Sequence, residues 1–130
     1  MDTIAFYFRA SRVSIFENEG GVLKSLVSWV DEGKLEPELK LSNVGSYYNY
    51  LDEGALIVPN VFDFKKEYPE TEGMVLYDHG AFVLVPVGIK RASDIYFCIE
   101  SFGSRRIWNK NRIMAIKIIG RILVTFLLKG

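Results

Sequence analysis

Residues 112–130, RIMAIKIIGRILVTFLLKG, decide the fold, because this apolar and basic stretch is compatible with two different structures. Read as a helix, it places polar and basic side chains on one stripe at i+4 spacing, with large apolar side chains opposite. The polar arc is narrow, which favours a helix mostly buried in protein over one lying among lipid headgroups. The polar stripe comprises Lys117, Arg121, Thr125 and Lys129, and the apolar face comprises Ile116, Ile119, Leu123 and Phe126.

The alternative is a hairpin in which Gly120 and Arg121 form a two-residue turn between strands 113–119 and 122–128. β-branched residues, which favour strands, make up seven of the 16 residues 113–128. We predict the helix and keep the hairpin as the alternative. In either form, the segment is expected to belong to the fold or to a subunit contact, because so many exposed isoleucines and leucines would promote aggregation.

A membrane-spanning role does not fit this segment. Sixteen residues of helix extend about 24 Å, whereas the hydrocarbon core of a bilayer is about 30 Å thick. Lys117 and Arg121 lie near its middle, and each opposes insertion by roughly 2.5–3.5 kcal/mol. The N-terminal sequence MDTIAFYFRASR has an acidic second residue and no long apolar run, so it does not have the pattern of a signal peptide.

Composition predicts one folded domain covering residues 1–130. The chain is 49% hydrophobic and 25% charged, as in ordinary globular proteins. The single cysteine, Cys98, excludes an intrachain disulfide framework and indicates a reducing compartment, so we predict an intracellular location, in the cytoplasm or within a particle. One cysteine and one histidine cannot supply a Cys/His zinc site, and no glycine-rich nucleotide motif occurs, so we expect no metal and no cofactor.

The remaining elements predict a small single α+β domain, mostly an antiparallel sheet with one or two packed helices. Residues 22–32 carry Val22, Leu23, Leu26, Val27 and Val30 at helical spacing, which predicts a helix stopped at Gly33. Alternating or β-rich runs predict strands over residues 3–9, 47–51, 55–58 and 81–85, and over 95–99, where Ile95, Phe97 and Ile99 face one way. Residues 62–68 predict a short helix ended by Pro69, and residues 74–77 and 81–85 predict a hairpin around Asp78-His79-Gly80.

No catalytic constellation stands out, so we predict a non-enzymatic protein. A small hydrolase using His79 as a base oriented by Asp78 is conceivable on chemical grounds. The favoured interpretation is that both are turn residues, because Asp-x-Gly is itself a turn signal. Cys98 lies within a predicted strand beside Phe97, which is typical of a small buried apolar residue and not of a nucleophile.

Charge is strongly asymmetric along the chain. Residues 1–100 hold all 16 acidic and nine basic side chains, a net charge of −7, whereas residues 101–130 hold seven basic side chains and no acid. Such asymmetry indicates a nucleic-acid, acidic-protein or membrane partner, unless the basic part folds against the acidic body. The segment GSRRIWNKNR over 103–112 combines cations for phosphates, asparagines for base edges and a tryptophan for stacking. The predicted nucleic-acid-binding residues are Arg105, Arg106, Trp108, Lys110 and Arg112.

Three short stretches carry a resemblance to a known family. WVDEGKL over 29–35, LSN over 41–43 and DEGALIVPNVFDFKKEYPE over 52–70 resemble the C-terminal domain of conjugative-relaxase or helicase-like TraI proteins. The resemblance implies a winged-helix-like domain presumed to bind DNA, and it assigns no catalytic residue. The hairpin predicted around His79 departs from that pattern, where another helix would be expected.

The sequence therefore predicts a binding protein whose basic C-terminal region contacts nucleic acid or an acidic protein surface. The alternative is a structural or assembly subunit, for example of a viral or mobile-element particle. In that case residues 113–128 would pack against another copy, making a homo-oligomer. Salt dependence separates the two, because phosphate contacts weaken with salt and an apolar contact does not.

Overall fold

The computed structural model describes residues 10–30, 54–73, 80–90, 93–101 and 108–127. Within these ranges, strands β1 and β2 come first, then β3, helix α1 and a 3₁₀ helix, then strands β4 and β5 and the long helix α2. Their bounds are β1 Arg12–Glu19, β2 Val22–Val30, β3 Leu56–Val58, α1 Val61–Glu67, the 3₁₀ helix Pro69–Gly73, β4 Ala81–Lys90, β5 Ser93–Ser101 and α2 Lys110–Leu127. The predicted fold class, a small α+β domain with a mostly antiparallel sheet, is confirmed.

The five strands form one antiparallel sheet in the order β2-β1-β5-β4-β3. Strand β5 is the central strand of this order, and its pairing with β1 places Arg12 opposite Glu100. The predicted strands over 81–85 and 95–99 lie within β4 and β5, which pair with each other. The predicted strand over 55–58 is β3, and the predicted short helix is α1, which ends just before Pro69.

The predicted helix over residues 22–32 is wrong, because Val22–Val30 is strand β2. Gly20 and Gly21 have φ values of 64° and 91°, and Glu19 pairs with Val22, so the two glycines form a tight hairpin turn. The register shifts between Ile15 and Phe16, since Ile15 pairs with Val27 and Phe16 pairs with Ser25. This shift interrupts the period of two along β2, so its apolar residues fall at spacings that imitate a helix.

The two faces of the sheet carry separate apolar clusters. The face under α2 holds Val13, Ile15, Val83, Phe97 and Ile99, all 0% exposed, together with Trp108 and Ile116. The predicted common orientation of Ile95, Phe97 and Ile99 is therefore confirmed. We call the opposite side the distal face. It holds Phe16, Leu84 and Tyr96 and is covered in part by Val61 and Phe64 of α1.

Helix α2 confirms the helical interpretation of the C-terminal stretch and excludes the hairpin over residues 113–127. Gly120, the turn residue of the hairpin alternative, lies inside the helix, where a Cβ would come 2.7 Å from Cδ2 of Phe97. The glycine therefore allows the helix to approach the sheet closely. Among the described residues, no helix is long and apolar enough to cross a bilayer.

Helix α2 is less buried than the sequence predicts. Ile113 and Ile116 are buried and Leu123 is half-buried, but Phe126, placed on the buried face by the sequence pattern, is 78% exposed. Several other predictions fall outside the described residues: the strands over 3–9 and 47–51, the hairpin arm 74–77, Gly33, Asp78 and His79.

Candidate ligand-binding face

Polar side chains, most of them buried, occupy one half of the distal face, where β2, β1 and β5 lie side by side. Pairing in register brings Arg12 opposite Glu100, and Ser14 opposite both Cys98 and Ser28. Residues directly opposite each other in an antiparallel pair point to the same face, so these side chains form one group. We call it the polar cluster: Arg12, Ser14, Ser28, Cys98 and Glu100.

An ion pair lies within the polar cluster. Nε of Arg12 donates to one carboxylate oxygen of Glu100 at 2.6 Å, and Nη2 donates to the other at 2.8 Å. The Arg12 side chain is 10% exposed and that of Glu100 is 0% exposed. Removing two charges from water is unfavourable, and the bidentate geometry offsets that cost. The charges of the two groups balance each other, so the pair is electrically neutral as a unit.

A row of hydroxyl groups connects the polar cluster to the surface. The Ser14 hydroxyl lies 2.9 Å from that of Ser28, which lies 2.8 Å from that of Ser25. Ser14 is 0% exposed, whereas Ser28 and Ser25 are exposed on β2, the last strand in the order of the described sheet. The row therefore leads from solvent to the buried middle of the distal face.

Cys98 lies opposite Ser14, at the buried end of the row of hydroxyl groups. Burial raises the pKa of its thiol well above the ordinary value of 9.0, the Glu100 carboxylate raises it further, and the Arg12 guanidinium partly opposes both. The neutral thiol is therefore the form present near neutral pH, and a neutral thiol is a poor nucleophile. The prediction that Cys98 is buried is confirmed.

The apolar half of the distal face lies beside the polar cluster. Leu84 neighbours Cys98, and Tyr96 neighbours Phe16 across the strands. All of these side chains are at most 4% exposed. A concave, mostly apolar surface with a few directed polar groups is what small-molecule sites require, and this face supplies both kinds of group side by side.

The residues predicted to bind nucleic acid do not form one exposed face among the described residues. Trp108 is 7% exposed and belongs to the core cluster under α2, so its ring is not available for stacking on a base. Lys110 is exposed and Arg112 is half-exposed in the first turn of α2. Asn109 accepts a hydrogen bond from the backbone N–H of Arg112 at 2.8 Å, which is a helix-capping contact and not base recognition. Arg105 and Arg106 fall outside the described residues.

Sequence reasoning missed the polar cluster. Arg12 and Ser14 belong to the start of a strand, RVSI, in which polar and apolar residues alternate over four positions, and this short alternation was the available signal. Its partner Glu100 is 88 residues away along the chain, so the pairing has no local signal. Among the described residues, no group of three or more His, Cys, Asp or Glu side chains is placed to hold a metal ion.

Comparison with known proteins finds matches among solved structures and none at the level of sequence families. No protein-family model and no curated protein sequence matches this chain. Solved structures match across nearly its whole length. A red/green cyanobacteriochrome in its green light-absorbing state has a TM-score of 0.63 at 15% identity, covering 99% of this chain and 92% of that one.

Two further neighbours are named as GAF domains. The PixJ GAF domain of Thermosynechococcus elongatus, in its blue-light absorbing form, has a TM-score of 0.63 at 12% identity, covering 98% of this chain and 81% of that one. The GAF domain of an Acinetobacter phosphoenolpyruvate-protein phosphotransferase has a TM-score of 0.59 at 10% identity, covering 99% and 81%.

These neighbours overturn the predicted identity and function. The resemblance to the winged-helix-like domain of TraI proteins is wrong, because the sheet order and the structural matches are those of another fold. The predicted role in contacting nucleic acid, and the alternative of a viral or mobile-element assembly subunit, are wrong as well, because the matching structures are photoreceptor and signalling domains. At these low identities the likeness establishes the architecture, and this chain has the fold of the GAF domains.

Proposed function

We propose that this chain is a sensory domain that binds a small organic molecule, without a covalent bond, on the distal face of its sheet. The observation that carries the proposal is the polar cluster, a set of hydrogen-bonding side chains reaching into an otherwise apolar interior. Ser14 and Cys98 are 0% exposed at its inner end, and Ser28 is exposed at its outer end. The GAF fold, shared with light-absorbing and phosphotransferase domains, supports the proposal.

The chemistry of the face favours an uncharged ligand with an apolar body and a hydrogen-bonding end. Arg12 and Glu100 neutralise each other, so no net charge on the ligand is needed to balance them. The hydroxyls of Ser14 and Ser28 can each donate and accept, which suits a carbonyl, amide or hydroxyl group. Phe16 and Tyr96 make the interior beside the polar cluster apolar, which suits an apolar ligand body.

Covalent attachment of a pigment does not fit this chain. A thioether would have to form at Cys98, the single cysteine of the sequence. That thiol is 0% exposed, and burial raises its pKa, so little of the reactive thiolate is present.

The free, buried thiol also supports an intracellular, cytoplasmic location for the protein, because that compartment is reducing.

The test is a ligand screen followed by site mapping. Uncharged metabolites and heterocycles are screened by thermal shift against the whole chain, and the hits are titrated by NMR. We expect amide shift changes centred on Ser14 and Cys98. Ser14→Ala should weaken binding about two- to twelve-fold, the equivalent of one lost hydrogen bond.

Ser25→Ala is the matched control, since it removes the same hydroxyl group from an exposed position in the same row. It should leave the affinity unchanged. Ligands whose shift changes map to the α2 side of the sheet, or that bind Ser14→Ala and the unmodified chain equally, would refute the proposed site. An intact mass above that of the polypeptide after denaturation would refute noncovalent binding.

A further inference from the structure

Strand β2 forms one end of the described sheet. Strand β1 pairs with its inner side, and no described strand pairs with its outer side. It is nine residues long, whereas β3 at the opposite end has three. The outer N–H and C=O groups of an edge strand can pair with another strand, and proteins protect edges with short strands, bulges, prolines or several charges. Apart from its register shift against β1, β2 has little such protection: it contains no proline and one charged residue, Lys24.

Apolar side chains are exposed along the whole length of β2. Val22 is 43% exposed, Leu26 is 41% exposed and Val30 is 40% exposed. Leu26 lies at the register shift, between the two residues that pair with Ile15 and Phe16. Another strand placed along this edge would remove these apolar side chains from water, which favours association.

The register shift divides β2 into two segments whose side chains alternate out of phase. Each residue shares a face with its partner on β1, because opposite residues of an antiparallel pair point the same way. The distal face therefore holds Leu23, Ser25, Ser28 and Val30, and the α2 side holds Val22, Lys24, Val27 and Trp29.

A second copy of this strand can satisfy the open edge. A two-fold axis perpendicular to the sheet makes the two β2 strands antiparallel and continues each face across the contact. Residues opposite each other must then lie on the same face. This condition excludes the register centred on Leu26, because it would place Leu23 of the distal face opposite Trp29 of the α2 side.

Shifting that register by one residue in either direction satisfies the condition. One of the two shifted registers opposes unlike side chains, since Leu23 would face Ser28 and Lys24 would face Val27. The other opposes like with like, and the two-fold axis repeats each contact. Its pairs are Leu23 with Val30, Lys24 with Trp29, and Ser25 with Ser28 of the second copy.

The contacts already made by these polar side chains are compatible with the pairing. The Lys24 ammonium lies 3.1 Å from a carboxylate oxygen of Glu19, and its aliphatic stem can cover the ring of Trp29 without breaking that contact. Ser25 makes one hydrogen bond, to Ser28, so its hydroxyl has capacity for another. The net charge of the chain is zero, so no overall repulsion opposes the approach of two copies.

We propose that β2 pairs antiparallel with β2 of a second copy, so that one sheet continues through a symmetric dimer with Ser25 opposite Ser28. A strand of another protein would meet the same backbone groups, but the side-chain pattern of β2 is complementary to β2 itself. The contact lies at the sheet edge and needs no ligand, so it does not depend on the proposed ligand-binding function.

Sedimentation velocity of the full chain over a wide range of concentrations tests for the dimer. We expect a monomer–dimer equilibrium. Leu26→Lys should raise the dissociation constant about ten-fold or more, because it replaces an apolar side chain near the two-fold axis with a charge that meets its own copy. Phe62→Lys is the matched control, since Phe62 is 60% exposed on α1, and it should leave the equilibrium unchanged.

Disulfide cross-linking tests the register. In a Cys98→Ala background, one chain carries Ser25→Cys and another carries Ser28→Cys. Opposite residues have Cα atoms about 4.5–5.5 Å apart, within reach of a disulfide. Two copies of the same residue are separated by about 10 Å along the strands, which a disulfide does not span. We therefore expect a covalent dimer when the two variants are mixed and oxidised, and none from either variant alone.

Circular dichroism checks that every variant is folded. The proposal is overturned if the folded chain sediments as a monomer at all concentrations, or if Phe62→Lys weakens the dimer as much as Leu26→Lys. It is equally overturned if each cysteine variant cross-links alone as readily as the mixture, because the strands then pair in another register or not at all.

Discussion

Replacing Gly120 with alanine tests the close approach between α2 and the sheet. A Cβ at this position would lie 2.7 Å from Cδ2, 2.8 Å from Cγ and 2.9 Å from Cβ of Phe97. Carbon atoms in good contact are about 3.5–4.0 Å apart. Phe97 is 0% exposed in the middle of the core, and one of the contacted atoms is its own Cβ, so rotation of the ring does not relieve the overlap.

The expected magnitude follows from two opposing effects. Insertion of a methyl group into a packed core costs about 1–3 kcal/mol, and the rigid contact with Phe97 places this case near the upper end. Alanine in a helix is more favourable than glycine by about 1 kcal/mol. Gly120→Ala should therefore destabilise the protein by about 2 kcal/mol. For a chain of this length, we expect a melting temperature lower by about 6–10 °C.

Urea denaturation followed by circular dichroism measures this change, with an unchanged m-value as the sign that the unfolding transition is the same. Thr125 provides the control because it is exposed in the same helix. Thr125→Ala should be more stable than Thr125→Gly by about 1 kcal/mol, the ordinary helix preference. If Gly120→Ala is as stable as the unmodified protein while the Thr125 pair behaves normally, the helix does not approach Phe97 as described.

Three further predictions concern the polar cluster and the helix start. Arg12→Leu should destabilise the fold by about 3–5 kcal/mol because it leaves the buried Glu100 carboxylate unpaired, and the double variant Arg12→Leu/Glu100→Leu should recover most of that loss in urea denaturation. Burial raises the pKa of Cys98 above its ordinary value of 9.0, so the thiol stabilises the folded state fully below that pH and less as the pH rises above it. The free energy of unfolding should therefore fall less at alkaline pH in Cys98→Ala than in the unmodified protein. An identical fall in both would argue against burial of the thiol. Asn109→Ala should lower thermal stability by about 1 kcal/mol through loss of the helix cap, whereas Asn109→Ser should retain most of it.

The amino-acid sequence by itself determines the elements whose signals are local. Residues 81–85 of β4 and 95–99 of β5 are apolar runs buried on both sides of the sheet. Helix α1 begins after Asn60, whose side chain accepts from the backbone N–H of Asp63 at 2.9 Å. The basic and apolar periodicity of α2 predicts a helix, and the structure contains it. Each of these patterns involves residues close together in the sequence, so the element can be predicted before the tertiary structure is known.

Only the tertiary structure decides the features that depend on distant neighbours. Strand β2 imitates a helix because its register shifts against β1, and that shift exists only when the two strands are paired. The polar cluster forms because β1 pairs with β5, which places Arg12 beside Glu100, 88 positions further along the chain. Helix α2 offers two apolar faces that periodicity alone does not distinguish. The inner face is selected because Gly120 lets the helix approach Phe97 closely. This selection leaves the side chains on the other side exposed, namely Met114, Ile118, Ile122 and Phe126.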